Sequence, residues 1–287
     1  MSTTDAIQKN IATIRNTFQL GQQAATAMPE PGHCWTLLEA LPPEFRSVAY
    51  EGASMEIALS DLSRDKTLTN WLLFKEGSGK NHSTQVHIGL GWALAQERLA
   101  PFPFLELSEP LSSFRILDGM GYYDGIFRRK ETLRNPEGPT EIPLPYLQAY
   151  DMGLGRSLWY NCAADLSRLP ELINAFARTR HADLWRGVGV ACTYVGGCNA
   201  TDLLELQALG ANVSGQLAAG AALVARARIQ AGLLTPDTEL ACHILCGCSA
   251  MEANQHTQRA EVMDAAENRF GRWMKKMEEA FVNTKFE

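Results

Sequence analysis

Residues 118–123 have the sequence Asp-Gly-Met-Gly-Tyr-Tyr, in which two glycines lie among apolar and aromatic side chains. Similar segments recur along the chain, each with a glycine close to alanine, leucine or an aromatic residue. Their first glycines lie 30 to 37 residues apart and are Gly21, Gly52, Gly89, Gly119, Gly153 and Gly187. This interval is typical of repeats built from two helices and a turn. The sequence therefore predicts an array of helical hairpins.

Apolar residues between the glycine segments follow helical spacing. Leu169, Leu172, Ile173 and Phe176 recur at intervals of one to four residues, which predicts a second helix in each unit. A glycine inside a helix costs about 1 kcal/mol relative to alanine, so its repetition needs a physical reason. Close approach of neighbouring helix backbones supplies that reason, and we expect the glycines to mark helix–helix contacts.

The predicted fold class is all-α, either an α-solenoid-like array or an α–α bundle, because few segments alternate apolar and polar residues as strands do. Four prolines between Arg134 and Pro145 predict a long surface loop. We expect a single helical-repeat domain over residues 1–287. Its last part, residues 251–287, is predicted to form one or two amphipathic capping helices, with apolar residues at Val262, Phe270, Trp273, Met277 and Phe281.

The composition limits the function. The chain has 287 residues, of which 46% are hydrophobic, and a net charge of −6, which excludes a disordered protein and disfavours nucleic acid as a partner. It contains no apolar run of the roughly 18 residues that a membrane span needs, so we expect a cytoplasmic protein. Seven cysteines, several within apolar runs, predict buried reduced thiols. The sequence does not determine whether the protein forms a homo-oligomer.

Two glycine motifs resemble nucleotide-binding loops. Gly119, Gly121 and Gly125 follow residues 114–117, which could form a short strand, as a dinucleotide site requires. Residues 77–80 resemble the end of a phosphate-binding loop, but Phe74 replaces its first glycine. Because the Gly-x-Gly pattern recurs in several repeats, packing glycines and a polar turn are the preferred interpretations, and no cofactor is predicted.

One cluster contains soft metal ligands at short spacing: Cys242, His243, Cys246 and Cys248. A closed zinc site would need four ligands with Cys-x-x-Cys type spacing, and the flanking leucines and isoleucine favour a buried helix. No metal is predicted, although the sequence alone leaves this cluster undecided.

Acidic and aromatic residues accompany the glycine segments, and we interpret them as a candidate site. A carboxyl group in an apolar setting has a raised pKa and can act as an acid, while aromatic walls bind lipophilic molecules and stabilise cations. The candidate catalytic acids are Asp124, Asp118 and Glu51. The candidate substrate-binding residues are Tyr50, His87, Trp92, Tyr122, Tyr123, Arg156, Trp159, Trp185 and Tyr194.

The same acidic residues also have a purely structural explanation, which is helix capping and ion pairing. Asp118, Asp151 and Asp183 precede or begin glycine segments and could be helix N-caps, with Arg156 paired to one of them. Asp124 is the preferred catalytic acid, because a position inside a helix cannot be explained by capping.

Five of these segments, in order, resemble one bacterial family. They are residues 49–55, 86–93, 117–125, 153–159 and 183–189, and the similarity extends over residues 11–247. The family is a domain-of-unknown-function family encoded beside iterative polyketide synthases, notably in enediyne antibiotic gene clusters. The resemblance implies an accessory role in polyketide or other natural-product biosynthesis and assigns no chemistry to particular positions.

Two functions are therefore expected. The first is an enzyme that acts on a lipophilic polyene or isoprenoid-like intermediate, by acid-initiated cyclisation or isomerisation. The alternative is a non-catalytic helical-repeat scaffold that binds a synthase, a carrier domain or a product. A nucleotide-dependent oxidoreductase would require a parallel sheet.

Overall fold

A computed structural model describes residues 3–27, 34–64, 67–163, 165–261 and 268–283. Within these ranges the regular structure is helical throughout and contains no strand, which confirms the predicted all-α class. The α-helices in chain order are α1 (Thr3–Ala27), α2 (Cys34–Glu39), α3 (Arg46–Arg64), α4 (Thr69–Glu76), α5 (Ser83–Gln96), α6 (Phe102–Leu105), α7 (Pro110–Phe127), α8 (Arg129–Arg134), α9 (Leu144–Asn161), α10 (Leu169–Asn174), α11 (His181–Val195), α12 (Ala200–Leu209), α13 (Ser214–Ala231), α14 (Pro236–Leu245), α15 (Ala250–Arg259) and α16 (Arg269–Asn283). Short 3₁₀ turns lead into α3, α5, α11 and α13.

Long and short helices alternate through most of the chain. The long helices α1, α3, α5, α7, α9, α11 and α13 each pack against the next long helix in sequence. In two pairs of neighbouring long helices the carboxyl ends lie together. For α5 and α7, Arg128 directly after α7 donates to the carbonyl of Gln96, the last residue of α5. For α11 and α13, Arg228 near the end of α13 donates to the carbonyl of Tyr194 near the end of α11. These long helices therefore run in the same direction, and the short helices return the chain, as the hairpin repeat predicted.

The repeated glycines lie where long helices cross, as expected. A Cβ atom on Gly153 of α9 would overlap the carbonyl oxygen of Asp118 of α7. Reciprocally, a Cβ on Gly121 of α7 would overlap the carbonyl oxygen of Tyr150 of α9. Backbone-to-backbone contact of this kind leaves no room for any side chain, which explains why glycine is required despite its cost in a helix.

The C-terminal helices close the array, as predicted. Helices α15 and α16 pack on α13, and α16 also contacts α7 and α9. The apolar face of α16 is buried and contains Phe270, Trp273, Met277 and Phe281. Val262 lies outside the described residues.

The predicted proline loop occupies residues 135–143, between α8 and α9. In contrast, residues 114–117 are not a strand but the middle of α7, which also contains Gly119, Gly121 and Gly125. The dinucleotide-loop hypothesis is therefore wrong, because a phosphate-binding turn cannot lie inside a continuous helix. Gly77 and Gly79 form a turn after α4, as the polar-turn interpretation expected.

Along the described ranges, no single helix is both long and apolar enough to cross a bilayer. The segments Ala200–Leu209 and Ala211–Ala231 have sufficient length and composition only when taken together, and they meet at an angle of 84°.

Candidate functional site

A cavity of about 460 Å³ lies among six of the long helices, and we call it the aromatic cavity. Its volume is within the range of small-molecule sites. Five of the predicted site residues line it, namely Glu51, Trp92, Tyr122, Arg156 and Tyr194. The remaining lining residues are Ile11, Ile14, Arg15, Phe18, Gln19, Gln22, Val48, Ile126, Phe127, Tyr160 and Asn161.

The cavity opens beside α1. Arg15 and Gln19 of α1 are exposed, and Phe127 at the end of α7 is 61% exposed, so these residues lie at the mouth. Apolar side chains of α1 and α7, including Ile14 and Ile126, form the walls behind it. A lipophilic molecule entering here would pass between these apolar walls before it reached the buried charged groups.

A second, smaller space of about 30 Å³ adjoins the inner end of the cavity, and we call it the polar recess. The two share Glu51, Arg156 and Tyr194 as lining residues, and the recess adds Arg115 and Asp118. Its volume is comparable to the space for one or two water molecules. The aromatic cavity therefore has an apolar outer part and a charged inner end.

Arg156 organises this inner end. Its Nη1 lies 3.0 Å from Oδ2 of Asp118, and its guanidinium lies 4.3 Å from the centroid of the Tyr122 ring. The other carboxylate oxygen of Asp118, Oδ1, is buried and has no hydrogen-bond partner among the described residues. Burial lowers the pKa of the neighbouring Arg115 to about 10. The recess thus contains an ion pair and a second buried guanidinium.

Glu51 lies where the cavity meets the recess. Burial raises the pKa of its carboxyl from 4.5 to about 7, with Asp118 adding to the rise and Arg156 opposing it. The backbone of α3 at this point is covered by α5, because Gly89 leaves no side chain between it and the Glu51 carbonyl. A carboxyl group with this pKa can both donate and accept a proton near neutral pH.

Two buried donors of the cavity wall are unpartnered. The hydroxyl of Tyr194 and the Nε1 of Trp92 have no hydrogen-bond partner within the described part of the chain. Burial raises the pKa of Tyr194 to about 12, so this phenol keeps its proton. Buried polar groups in proteins are rarely left unpaired without a ligand or water to satisfy them.

Asp124, the preferred acid of the sequence, lies outside the aromatic cavity. Its Oδ2 accepts a hydrogen bond from the hydroxyl of Tyr150 at 2.8 Å, and its Oδ1 accepts one from Arg128 at 2.9 Å. Burial raises its pKa, although both partners oppose the rise. Two residues along a helix correspond to a rotation of about 200°, so Asp124 faces away from Tyr122. It lines a separate cavity of about 430 Å³.

Tyr50 and His87 also lie elsewhere. The phenol of Tyr50 donates to Oε1 of Glu39 at 2.7 Å, and its ring stacks on His82. The imidazole of His87 contacts the Ser83 carbonyl through Nδ1 at 2.6 Å and the Ser108 hydroxyl through Nε2 at 2.7 Å. Burial lowers the pKa of His87 to about 4, so it stays neutral.

The last three predicted residues, Tyr123, Trp159 and Trp185, do not line the cavity. Tyr123 packs on Phe127 at a centroid distance of 4.7 Å, and Trp159 and Trp185 are buried in α9 and α11. Their aromatic character therefore supports the helix packing around the cavity.

The N-cap interpretation of the acids is wrong for Asp118 and Asp151, which lie in the middle of α7 and α9. Asp183 lies in the first turn of α11, where it pairs with Arg186. The accompanying expectation that Arg156 forms an ion pair is confirmed, with Asp118 as its partner.

Some residues of the site were missed in the sequence. Tyr160 lies one helical turn after Arg156, and Arg115 lies three residues before Asp118, so helical spacing could have identified both. The phenols of Tyr122 and Tyr160 interact, and burial raises the pKa of each. The cavity-lining residues of α1 could not be identified from the local sequence, because they line the cavity only through the way α1 packs against the other helices.

The cysteine cluster does not converge on one point. The buried thiols of Cys242 and Cys246 face the carbonyl groups of Ala221 and Ala218 in α13. His243 is exposed on the same helix. No group of three potential metal ligands occurs in the portion of the chain that the structure describes.

Comparisons with known proteins identify one family. No curated protein and no solved structure matches the chain significantly. A family model described as a protein of unknown function, DUF1702, matches residues 1–281. This agrees with the resemblance to an uncharacterised domain family, and the chain belongs to the DUF1702 family.

Proposed function

We propose that the protein is an enzyme of natural-product biosynthesis that binds a lipophilic polyene or isoprenoid-like molecule in the aromatic cavity. Glu51 then transfers a proton to or from this ligand. The observation that carries the proposal is a carboxyl group with a pKa of about 7 at the junction of an apolar cavity and a charged recess. The resemblance to proteins encoded beside polyketide synthases supports this class of ligand.

The chemistry that fits is isomerisation or cyclisation started by protonation. The Glu51 carboxyl gives its proton to one carbon of a double bond, and the π electrons form the new C–H bond. The adjacent carbon becomes cationic. Return of a proton from a neighbouring carbon to the Glu51 carboxylate forms a shifted double bond. Alternatively, attack by a second double bond closes a ring and leaves a new cation, which then loses a proton to the same carboxylate. No oxidant or cofactor is consumed in either case.

The walls of the cavity suit a cationic intermediate. The rings of Trp92 and Tyr122 line the cavity and lie edge to face at 5.1 Å, so a cation in the cavity would lie close to aromatic side chains. Apolar side chains of α1 exclude water that would otherwise capture a carbocation. In this arrangement Asp118 is a positioning residue, because its ion pair holds Arg156.

The test is expression of the protein together with a polyene- or isoprenoid-producing pathway, followed by native mass spectrometry and product analysis. We expect Glu51→Gln to retain the ligand without converting it. Asp124→Asn is the control, since it removes a partly buried carboxylate that lies outside the cavity, and it should convert the ligand normally. An unchanged product profile with and without the protein, or full conversion by Glu51→Gln, would overturn the proposal.

A further inference from the structure

We infer that the ligand of the aromatic cavity carries a carboxylate at its polar end, and that this carboxylate lies at the polar recess against Arg156 and Tyr194. The inference rests on the proposed function in one respect, namely that the cavity binds a lipophilic molecule. It adds the charge, the position and the orientation of the polar group.

The first argument is the balance of buried charge. Two guanidinium groups line the recess, those of Arg115 and Arg156. Two carboxyl groups oppose them, Asp118 and Glu51. When Glu51 is protonated, as its pKa of about 7 allows at neutral pH, one positive charge remains in excess. A buried excess charge is costly, and an anionic ligand would compensate for it.

The second argument is the type of hydrogen-bonding group that faces the ligand. Arginine and the indole Nε1 are donors only. The hydroxyl of Tyr194 has no acceptor among the described residues, and the same holds for the indole of Trp92. The matching partner of these donors is a group that accepts hydrogen bonds, whereas the unpartnered acceptor Oδ1 of Asp118 lies in the recess, where there is space for a water molecule to donate to it. A carboxylate meets this requirement, whereas an alcohol would bring a further donor into the site.

The third argument is the direction of the cavity. The charged groups lie at its inner end, while the mouth is lined by Phe127 and the apolar side chains of α1. A carboxylate that entered last would be left at the mouth, close to the exposed Arg15. A carboxylate that enters first reaches the recess and leaves its hydrocarbon chain among the apolar walls. The second orientation satisfies the buried donors and buries the chain.

The test measures binding of three fluorescent probes by the purified full-length protein: cis-parinaric acid, its methyl ester and the corresponding alcohol. The ester keeps a carbonyl acceptor without the charge, and the alcohol has neither. We expect the acid to bind at least about tenfold more tightly than the ester, since charged hydrogen bonds contribute about 1.5–3 kcal/mol and 1.4 kcal/mol is tenfold. The alcohol should be the weakest.

A variant locates the carboxylate. Tyr194→Phe removes a hydroxyl that bonds to no described group, so the fold should persist. We expect it to weaken binding of the acid about threefold to tenfold and to leave binding of the alcohol unchanged. Tyr146→Phe is the matched control, because Tyr146 packs on Phe102 and does not line the cavity.

The outcomes separate the inference from the proposed function. Equal affinities for acid, ester and alcohol would overturn the carboxylate while leaving the lipophilic cavity intact. If the acid binds more tightly than the ester and the alcohol, but Tyr194→Phe does not weaken its binding, the carboxylate does not lie at the recess and that part of the inference is overturned. Binding of no probe would overturn the inference and also the lipophilic ligand. Loss of conversion in Glu51→Gln with equal binding of all probes would support the proton transfer alone.

Discussion

Nη1 of Arg156 lies 3.0 Å from Oδ2 of Asp118, although 38 residues separate them in the chain. The contact joins α9 to α7 at the point where both helices face the recess. Because neither side chain has another charged partner at hydrogen-bond distance among the described residues, the pair fixes the direction of the guanidinium. A ligand bound to Arg156 would therefore meet a group whose position is set before binding.

Asp118→Asn should destabilise the protein by about 3–5 kcal/mol, because it leaves the Arg156 guanidinium buried without a counter-charge. Urea unfolding followed by circular dichroism measures this loss. The control is Asp165→Asn, whose carboxylate is exposed and bonds only to Ser167, and which should leave stability nearly unchanged. The double variant Asp118→Asn with Arg156→Met should recover part of the loss, since neither member of the ion pair is then left buried without the other. A double variant as unstable as the sum of the two singles would argue against the pair.

Gly153→Ala should destabilise the protein by more than about 3 kcal/mol, since its Cβ would overlap the carbonyl of Asp118 and force α7 and α9 apart. Gly215→Ala is the matched control within another long helix. Its nearest contact would be 3.2 Å, to the carbonyl of Glu278, and the better helix propensity of alanine would offset this. Equal effects of the two substitutions in urea unfolding would contradict the packing role of the repeated glycine.

The repeat pattern predicted the fold because close helix packing constrains sequence locally. Gly119 and Gly153 cannot be replaced without moving a neighbouring backbone, so their spacing reports the spacing of the long helices. The apolar face of α16 is likewise visible in the sequence, since residues of one helix face recur every three or four positions. Both features repeat at fixed intervals in the sequence, so each can be recognised without knowing which helices meet.

The site was only partly predictable, because the helix faces that meet in the folded protein decide which residues line the cavity. Glu51 and Asp124 have the same chemistry and both accompany a glycine segment, but only Glu51 faces the aromatic cavity. The rotation of each helix about its axis decides this, and that rotation is set by packing with neighbours. The lining from α1 required the position of that helix in space, which no local pattern contains.

Tyr194→Phe should leave the stability of the ligand-free protein unchanged or raise it by up to about 1 kcal/mol. The hydroxyl is buried with no bond to a described residue, so its removal relieves a desolvated group. Tyr150→Phe is the matched control, because that hydroxyl bonds to Asp124 and its loss should cost about 1–2 kcal/mol. Thermal unfolding of the two variants beside the wild type measures both. A clear destabilisation by Tyr194→Phe would mean that its hydroxyl is already satisfied.

Glu51→Gln should change how stability depends on pH. In the unfolded chain the Glu51 carboxyl ionises above its ordinary pKa of 4.5, whereas in the folded protein burial holds the pKa at about 7. Between these values the folded state binds more protons, so the wild type loses stability as pH rises through this window, by about 3 kcal/mol in total. Glutamine does not titrate, and the variant lacks this contribution.

The difference in unfolding free energy between Glu51→Gln and the wild type isolates the titration, because all other groups are common to both proteins. We expect the unfolding free energy of the variant to rise relative to that of the wild type from about pH 5 to about pH 7. The difference should become constant above about pH 8. Urea unfolding at unit pH steps measures it. A difference that stays constant from pH 5 to pH 8 would show that Glu51 is ionised throughout, because a carboxylate of ordinary pKa completes its titration below this range. Proton donation from Glu51 at neutral pH would then be excluded, and with it the acid that the proposed isomerisation requires.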